Sequence, residues 1–118
     1  ASYEMTSADA GPGIVLGTGT GTGITYTLPK ALAGLEVAFY RGGNGTITLT
    51  TKTPASESIL DSKGLCDTSA NGALNAANDD LLINANYMYV KLKCYIGQRW
   101  EVETVSGLSA STTALVIS

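Results

Sequence analysis

The chain has 118 residues, 44% of them apolar and only 14% charged, with seven Lys or Arg against ten Asp or Glu and a formal charge of −3. That length sets one domain around a single core. The acidic balance lacks the basic face of a nucleic-acid binder and the polybasic patch of a membrane-surface protein, and no run of 18 apolar residues offers a membrane span.

The N-terminus, Ala1-Ser2-Tyr3-Glu4-Met5, carries neither a basic region nor an apolar run, so no signal peptide is read there. It is expected to be a mature start. Ala8–Gly13 is a turn cluster, and Gly17–Gly23 alternates strictly between Gly and Thr. Glycine raises the entropic cost of ordering, so this tract anchors no core by itself. Between them lies a short apolar patch, Ile14-Val15-Leu16. Residues 1–23 are therefore predicted to be an extended arm that orders on a partner, with residues 24–118 as the body. The alternative is an edge strand followed by a flexible loop.

The body opens with Ile24, Tyr26 and Leu28 alternating with Thr25 and Thr27, the period-two pattern of a half-buried strand. Pro29 ends it. Leu35–Arg41 follows, with Leu35, Val37 and Phe39 on one face, then Gly42-Gly43-Asn44-Gly45 and Thr46–Lys52. Consecutive residues that tolerate positive φ predict a hairpin joining these two strands. Glu57–Asp61 is a short strand candidate, and Ser62–Asn78 reads as loop. Leu81–Asn84 is the next strand. Tyr87–Ile96 is the longest, with Met88, Val90, Leu92, Cys94 and Ile96 predicted to face the core and Tyr87, Tyr89, Lys91, Lys93 and Tyr95 the other side. Gly97-Gln98 turns into Arg99–Val105, where Trp100, Val102 and Thr104 share a face, and Ala114–Ile117 is the last apolar strand. Short strands at this spacing predict an all-β chain, a single antiparallel β-sandwich or jelly-roll-like domain.

Chemistry-bearing patterns are sparse. The Gly-Thr tract lacks the Lys-Ser/Thr ending of a phosphate loop and any strand–loop–helix context. Gly42–Gly45 resembles the start of a calcium-binding nonapeptide, but Ile47 stands where an Asp ligand belongs and no second copy follows. Asn44-Gly45-Thr46 spells a glycosylation sequon, though a turn explains it better. Asp79 and Asp80, with Asn78, Asn84 and Asn86, supply oxygen ligands for Ca²⁺, but adjacent strand residues point to opposite faces. The chain contains no histidine, and Glu101 and Glu103 read as a solvated strand face. No catalytic group, metal or cofactor is expected. Cys66 and Cys94 are 28 residues apart; a disulfide is one reading, two reduced thiols the favoured one. The tyrosines Tyr87, Tyr89 and Tyr95 form the most conspicuous surface, suited to stacking on sugars or to a protein interface, where tyrosine is enriched; a second sheet packed over them is the other reading.

The stretch from Thr25-Tyr26-Thr27-Leu28-Pro29 through Ala33–Phe39, the Gly-Asn-Gly turn and Gly97–Val102 resembles small β modules of tailed-phage virion proteins, the capsid decoration (cement) proteins and tail-fibre segments. The Gly-Thr arm and the Cys66 loop stand outside that pattern. The resemblance implies a structural protein that binds the major capsid protein on the virion exterior after assembly in the host cytoplasm, as a homotrimer. The apolar patch of the arm, Ile14, Val15 and Leu16, and the tyrosine face of Tyr87, Tyr89 and Tyr95 are the candidate partner contacts. The alternative is a receptor- or carbohydrate-binding tail-fibre module. A fibre tip usually belongs to a longer chain, so the decoration reading is preferred.

Overall fold

The computed structural model describes residues 2–9, 15–17, 23–42, 45–60, 80–83, 87–106 and 115–117. Ten strands follow in order: β1 Ser2–Glu4, β2 Val15–Gly17, β3 Ile24–Thr27, β4 Glu36–Arg41, β5 Ile47–Thr50, β6 Ser58–Leu60, β7 Asp80–Ile83, β8 Tyr89–Ile96, β9 Arg99–Ser106 and β10 Leu115–Ile117. One 3-10 turn, Ser7–Asp9, is the helical content of the described residues. The all-β expectation is met.

The strands form two five-stranded sheets, ordered β1-β3-β5-β7-β10 and β2-β4-β8-β9-β6. Each connection carries the chain from one sheet to the other, except the β8–β9 turn. Side chains from both sheets enter one core: Tyr26, Ile47, Leu49, Leu81 and Ile83 from the first, Val37, Phe39, Ile59, Val90, Leu92, Cys94, Trp100 and Val102 from the second. Alternation explains this supply. In β5, Ile47 and Leu49 are buried while Thr48 and Thr50 are half-buried, and β3 and β7 follow the same rule.

Several expectations are corrected. The predicted hairpin does not form: β4 pairs with β2 and β8, whereas β5 pairs with β3 and β7 in the other sheet. Between Arg41 and Gly45 the chain passes from the second sheet to the first, and Arg41, buried there, donates from Nε to the Gly45 carbonyl oxygen at 2.7 Å. A wholly antiparallel arrangement also fails, because β1–β3, β3–β5, β2–β4 and β6–β9 are parallel. Crossing to the other sheet and back returns the chain in the same direction for β1–β3, β2–β4 and β3–β5, whereas β5–β7 is antiparallel.

Within 1–23, β1 and β2 pair with the body, β1 on β3 and β2 on β4. The edge-strand alternative therefore describes Val15-Leu16 better than an arm awaiting a partner, and deleting 1–23 would remove an edge strand from each sheet. Ile96, expected in the core, is 67% exposed. Register shifts between Lys93 and Ile96 and between Lys91 and Leu92 place an extra residue in each strand of the β8–β9 hairpin. Such bulges reverse the alternation, so Ile96 turns outward, and Val105 rather than Thr104 packs on the core. Among the described residues no helix is long and apolar enough to cross a membrane.

Candidate functional site

The outward face of the second sheet gathers the polar residues that the alternation of β4, β8 and β9 keeps off the core. Glu36 on β4 stands opposite Lys93 on β8, and Tyr40 stands opposite Tyr89. The Lys91 ammonium lies 2.6 Å from one Glu36 oxygen, and Lys93 lies 3.9 Å from the other. The Lys91 hydrogen bond, ahead of the burial that opposes it, holds the Glu36 carboxyl below its usual range, and the same bond raises Lys91. Tyr95 donates its hydroxyl to Glu103 Oε2 at 2.5 Å, and Lys93 sits 5.1 Å from the centre of the Tyr95 ring. That hydrogen bond stabilises the neutral phenol and pushes Tyr95 up to about 12. Glu103 reaches it because the bulge falls at this residue of β9, between Thr104 opposite Lys91 and Val102 opposite Leu92.

The three predicted tyrosines do not form one cluster. Tyr89 lies beside Tyr40, whereas Tyr95 lies six residues along β8, about 20 Å away at the usual strand rise. Tyr87 precedes the strand with φ 63°, and its N–H donates to the Arg41 carbonyl oxygen at 2.6 Å. Tyr87 is 56% exposed. Tyr40 was not singled out from sequence, although its parity in β4, opposite to Val37 and Phe39, already put it on the outer face. The β4–β8 register was the missing information. Of the apolar patch, Val15 and Leu16 stand opposite Phe39 and Tyr40, and Ile14 lies outside the described residues.

Neither the calcium candidates nor the disulfide question gains a site. Asp80 stands opposite Thr50 in the first sheet, while Asn78, Asp79, Asn84, Asn86 and Cys66 lie outside the described residues. Cys94 is a buried thiol that donates to the Ile96 carbonyl oxygen at 3.1 Å, and burial pushes its ionisation up. Among the described residues no group of three His, Cys, Asp or Glu is placed to hold a metal ion. The face built by Glu36, Tyr40, Tyr89, Lys91, Lys93, Tyr95 and Glu103 is thus a surface of hydroxyls and of charges that each meet a partner on the same face. No protein-family model, no curated protein and no solved structure matches this chain.

Proposed function

We propose that the chain is a structural virion protein, a capsid decoration module that binds the major capsid protein of a tailed phage from outside and reinforces the head lattice. The observation that carries this reading is the outer face of the second sheet. Its charges are engaged locally, Glu36 with Lys91 and Lys93 and Glu103 with the Tyr95 hydroxyl, leaving tyrosines as the projecting groups. Protein interfaces are enriched in tyrosine and depleted of charge at their centres, and a pre-paired face loses little side-chain entropy on docking. In the same proposal the two sheets stack as a β-sandwich, since both feed one core, and the virion form is the trimer that the resemblance implies.

The tail-fibre alternative, sugar stacking on the tyrosines, is less well supported. The Tyr95 hydroxyl is held by Glu103 and its ring is met by Lys93, which leaves less of the ring for a sugar.

The test is co-sedimentation of the purified chain with heads assembled from the major capsid protein encoded beside it and lacking the chain. Saturable binding at a fixed ratio to capsid subunits, weakened at least tenfold by Tyr40→Ala with Tyr89→Ala, is the expected result. Failure to bind heads, or a gene lying among tail-fibre genes with glycan-array binding, overturns the proposal.

A further inference from the structure

We propose that the open edge of the first sheet, strand β1, seats a second copy of this chain by antiparallel pairing of Ser2–Glu4 across a two-fold axis at Tyr3. This is independent of the function proposed above. Among the described residues β1 lies at the end of its sheet, paired to β3, and all three of its residues are exposed. An edge of this kind presents backbone donors and acceptors that template a further strand.

The backbone phase decides the register. Met5 N–H donates to the Thr27 carbonyl oxygen at 2.9 Å, so Met5, and by alternation Tyr3, turn their backbone groups toward β3. The N–H and C=O of Ser2 and Glu4 therefore point outward. Beyond them the edge closes: the Thr6 N–H is taken by Asp9 Oδ2 at 2.8 Å, inside the Ser7–Asp9 turn. The two residues with outward groups are those that an antiparallel pair centred on Tyr3 requires. Ser2 of each copy exchanges both bonds with Glu4 of the other, and the two Tyr3 residues meet as the intervening closely spaced pair. Charge selects the same register. Centred on Tyr3, each Glu4 faces Ser2; centred on Glu4, two carboxylates would stand directly opposite, which is destabilising.

The side chains fit as well. Tyr3 stands opposite Tyr26, its ring edge-on at 6.1 Å, and Tyr26 meets Phe39 at 5.5 Å. This aromatic row runs from the core to the open edge and stops at Tyr3, which is 51% exposed. A second copy continues it and covers that ring. Because the contact is small, the pair is weak.

Sedimentation of the full chain from about 10 µM to about 1 mM tests it, since small contacts of this size are expected to fall in that range. A monomer–dimer equilibrium is expected. Glu4→Pro removes an outward N–H while sparing the β1–β3 bonds, as an edge proline does, and should weaken the dimer at least tenfold with an unchanged melting curve. Glu4→Gln keeps the N–H, loses the Lys52 ion pair, and should leave the dimer in place. In the wild type, the Ser2 and Glu4 amide signals should shift with concentration more than that of Met5, a readout that holds even if the proline variant does not fold. A monomer at 1 mM, a dimer that survives Glu4→Pro, equal loss in both variants, or unmoved Ser2 and Glu4 signals would overturn the proposal.

Discussion

The Glu57 carboxylate accepts the Ala31 amide hydrogen at 2.8 Å, tying the β5–β6 connection to the β3–β4 connection at one end of the molecule. Its second oxygen accepts the Thr53 amide at 2.9 Å, and the residue is 2% exposed. The cluster extends through Gln98, whose N–H donates to the Ala31 carbonyl oxygen and whose carbonyl oxygen accepts the Ser58 amide. Three separate connections are thus held by one buried acid and one turn. Replacing Glu57 by Ala orphans the buried Ala31 donor and exposes the Thr53 donor to water, at a cost of about 2–4 kcal/mol. Urea unfolding measures it; a loss under about 0.5 kcal/mol would show that the clasp contributes little.

Trp100, on β9 opposite Ile59, is fully buried. Buried indoles usually place their N–H on an acceptor, but Trp100 Nε1 has no partner among the described residues. Trp100→Ala should cost about 3–5 kcal/mol, the usual range for removing a large aromatic from a core. Trp100→Phe, which also deletes the N–H, should cost less than half as much by thermal or urea unfolding.

Gly23 approaches the strand that follows the core crossing. A Cβ there would stand 2.9 Å from the Thr46 carbonyl oxygen, the same oxygen that accepts the Ile24 amide at 2.8 Å. Gly23→Ala should therefore destabilise by about 1–3 kcal/mol, as overpacking against backbone does. Gly97→Ala, whose new Cβ would come no nearer than 3.7 Å to the Ala31 oxygen, should change stability by less than about 0.5 kcal/mol. Equal effects at the two glycines would contradict this account.

Tyr95 should ionise near 12 rather than at its ordinary 10.0, because its hydroxyl donates to Glu103. A folded-state value raised above the unfolded one gives stability that is whole below pH 10 and lost as pH rises through about 12. Ultraviolet titration of the phenolates checks the shift. Glu103→Gln should return one tyrosine toward 10.0 and flatten the alkaline fall in stability.

Strand positions were legible because burial of one face writes a two-residue period into the chain. Ile24–Leu28 and Thr46–Lys52 each contain an observed strand, while Leu81–Asn84 begins one residue after β7 does and Arg99–Val105 ends one residue before β9. The core side of β3, β4, β5 and most of β8 followed from the same period. It stopped being readable at the β8–β9 bulges, where one inserted residue in each strand reversed the inward set and exposed Ile96.

By itself the sequence determined an all-β chain of low charge, the core face of β3, β4, β5 and most of β8, and a tyrosine-bearing polar face on β8. Only the tertiary structure decided which strands are neighbours. A glycine-rich connection such as Gly42–Gly45 serves equally to fold a strand back on its neighbour or to carry it across to another sheet, and local periodicity is the same in both cases. The choice rests on contacts distant in sequence: Phe39 opposite Val90, Ile47 opposite Ile83, and the Tyr26–Phe39 ring contact. Those contacts brought Tyr40 beside Tyr89, separated Tyr95 from both, and set β2 against β4.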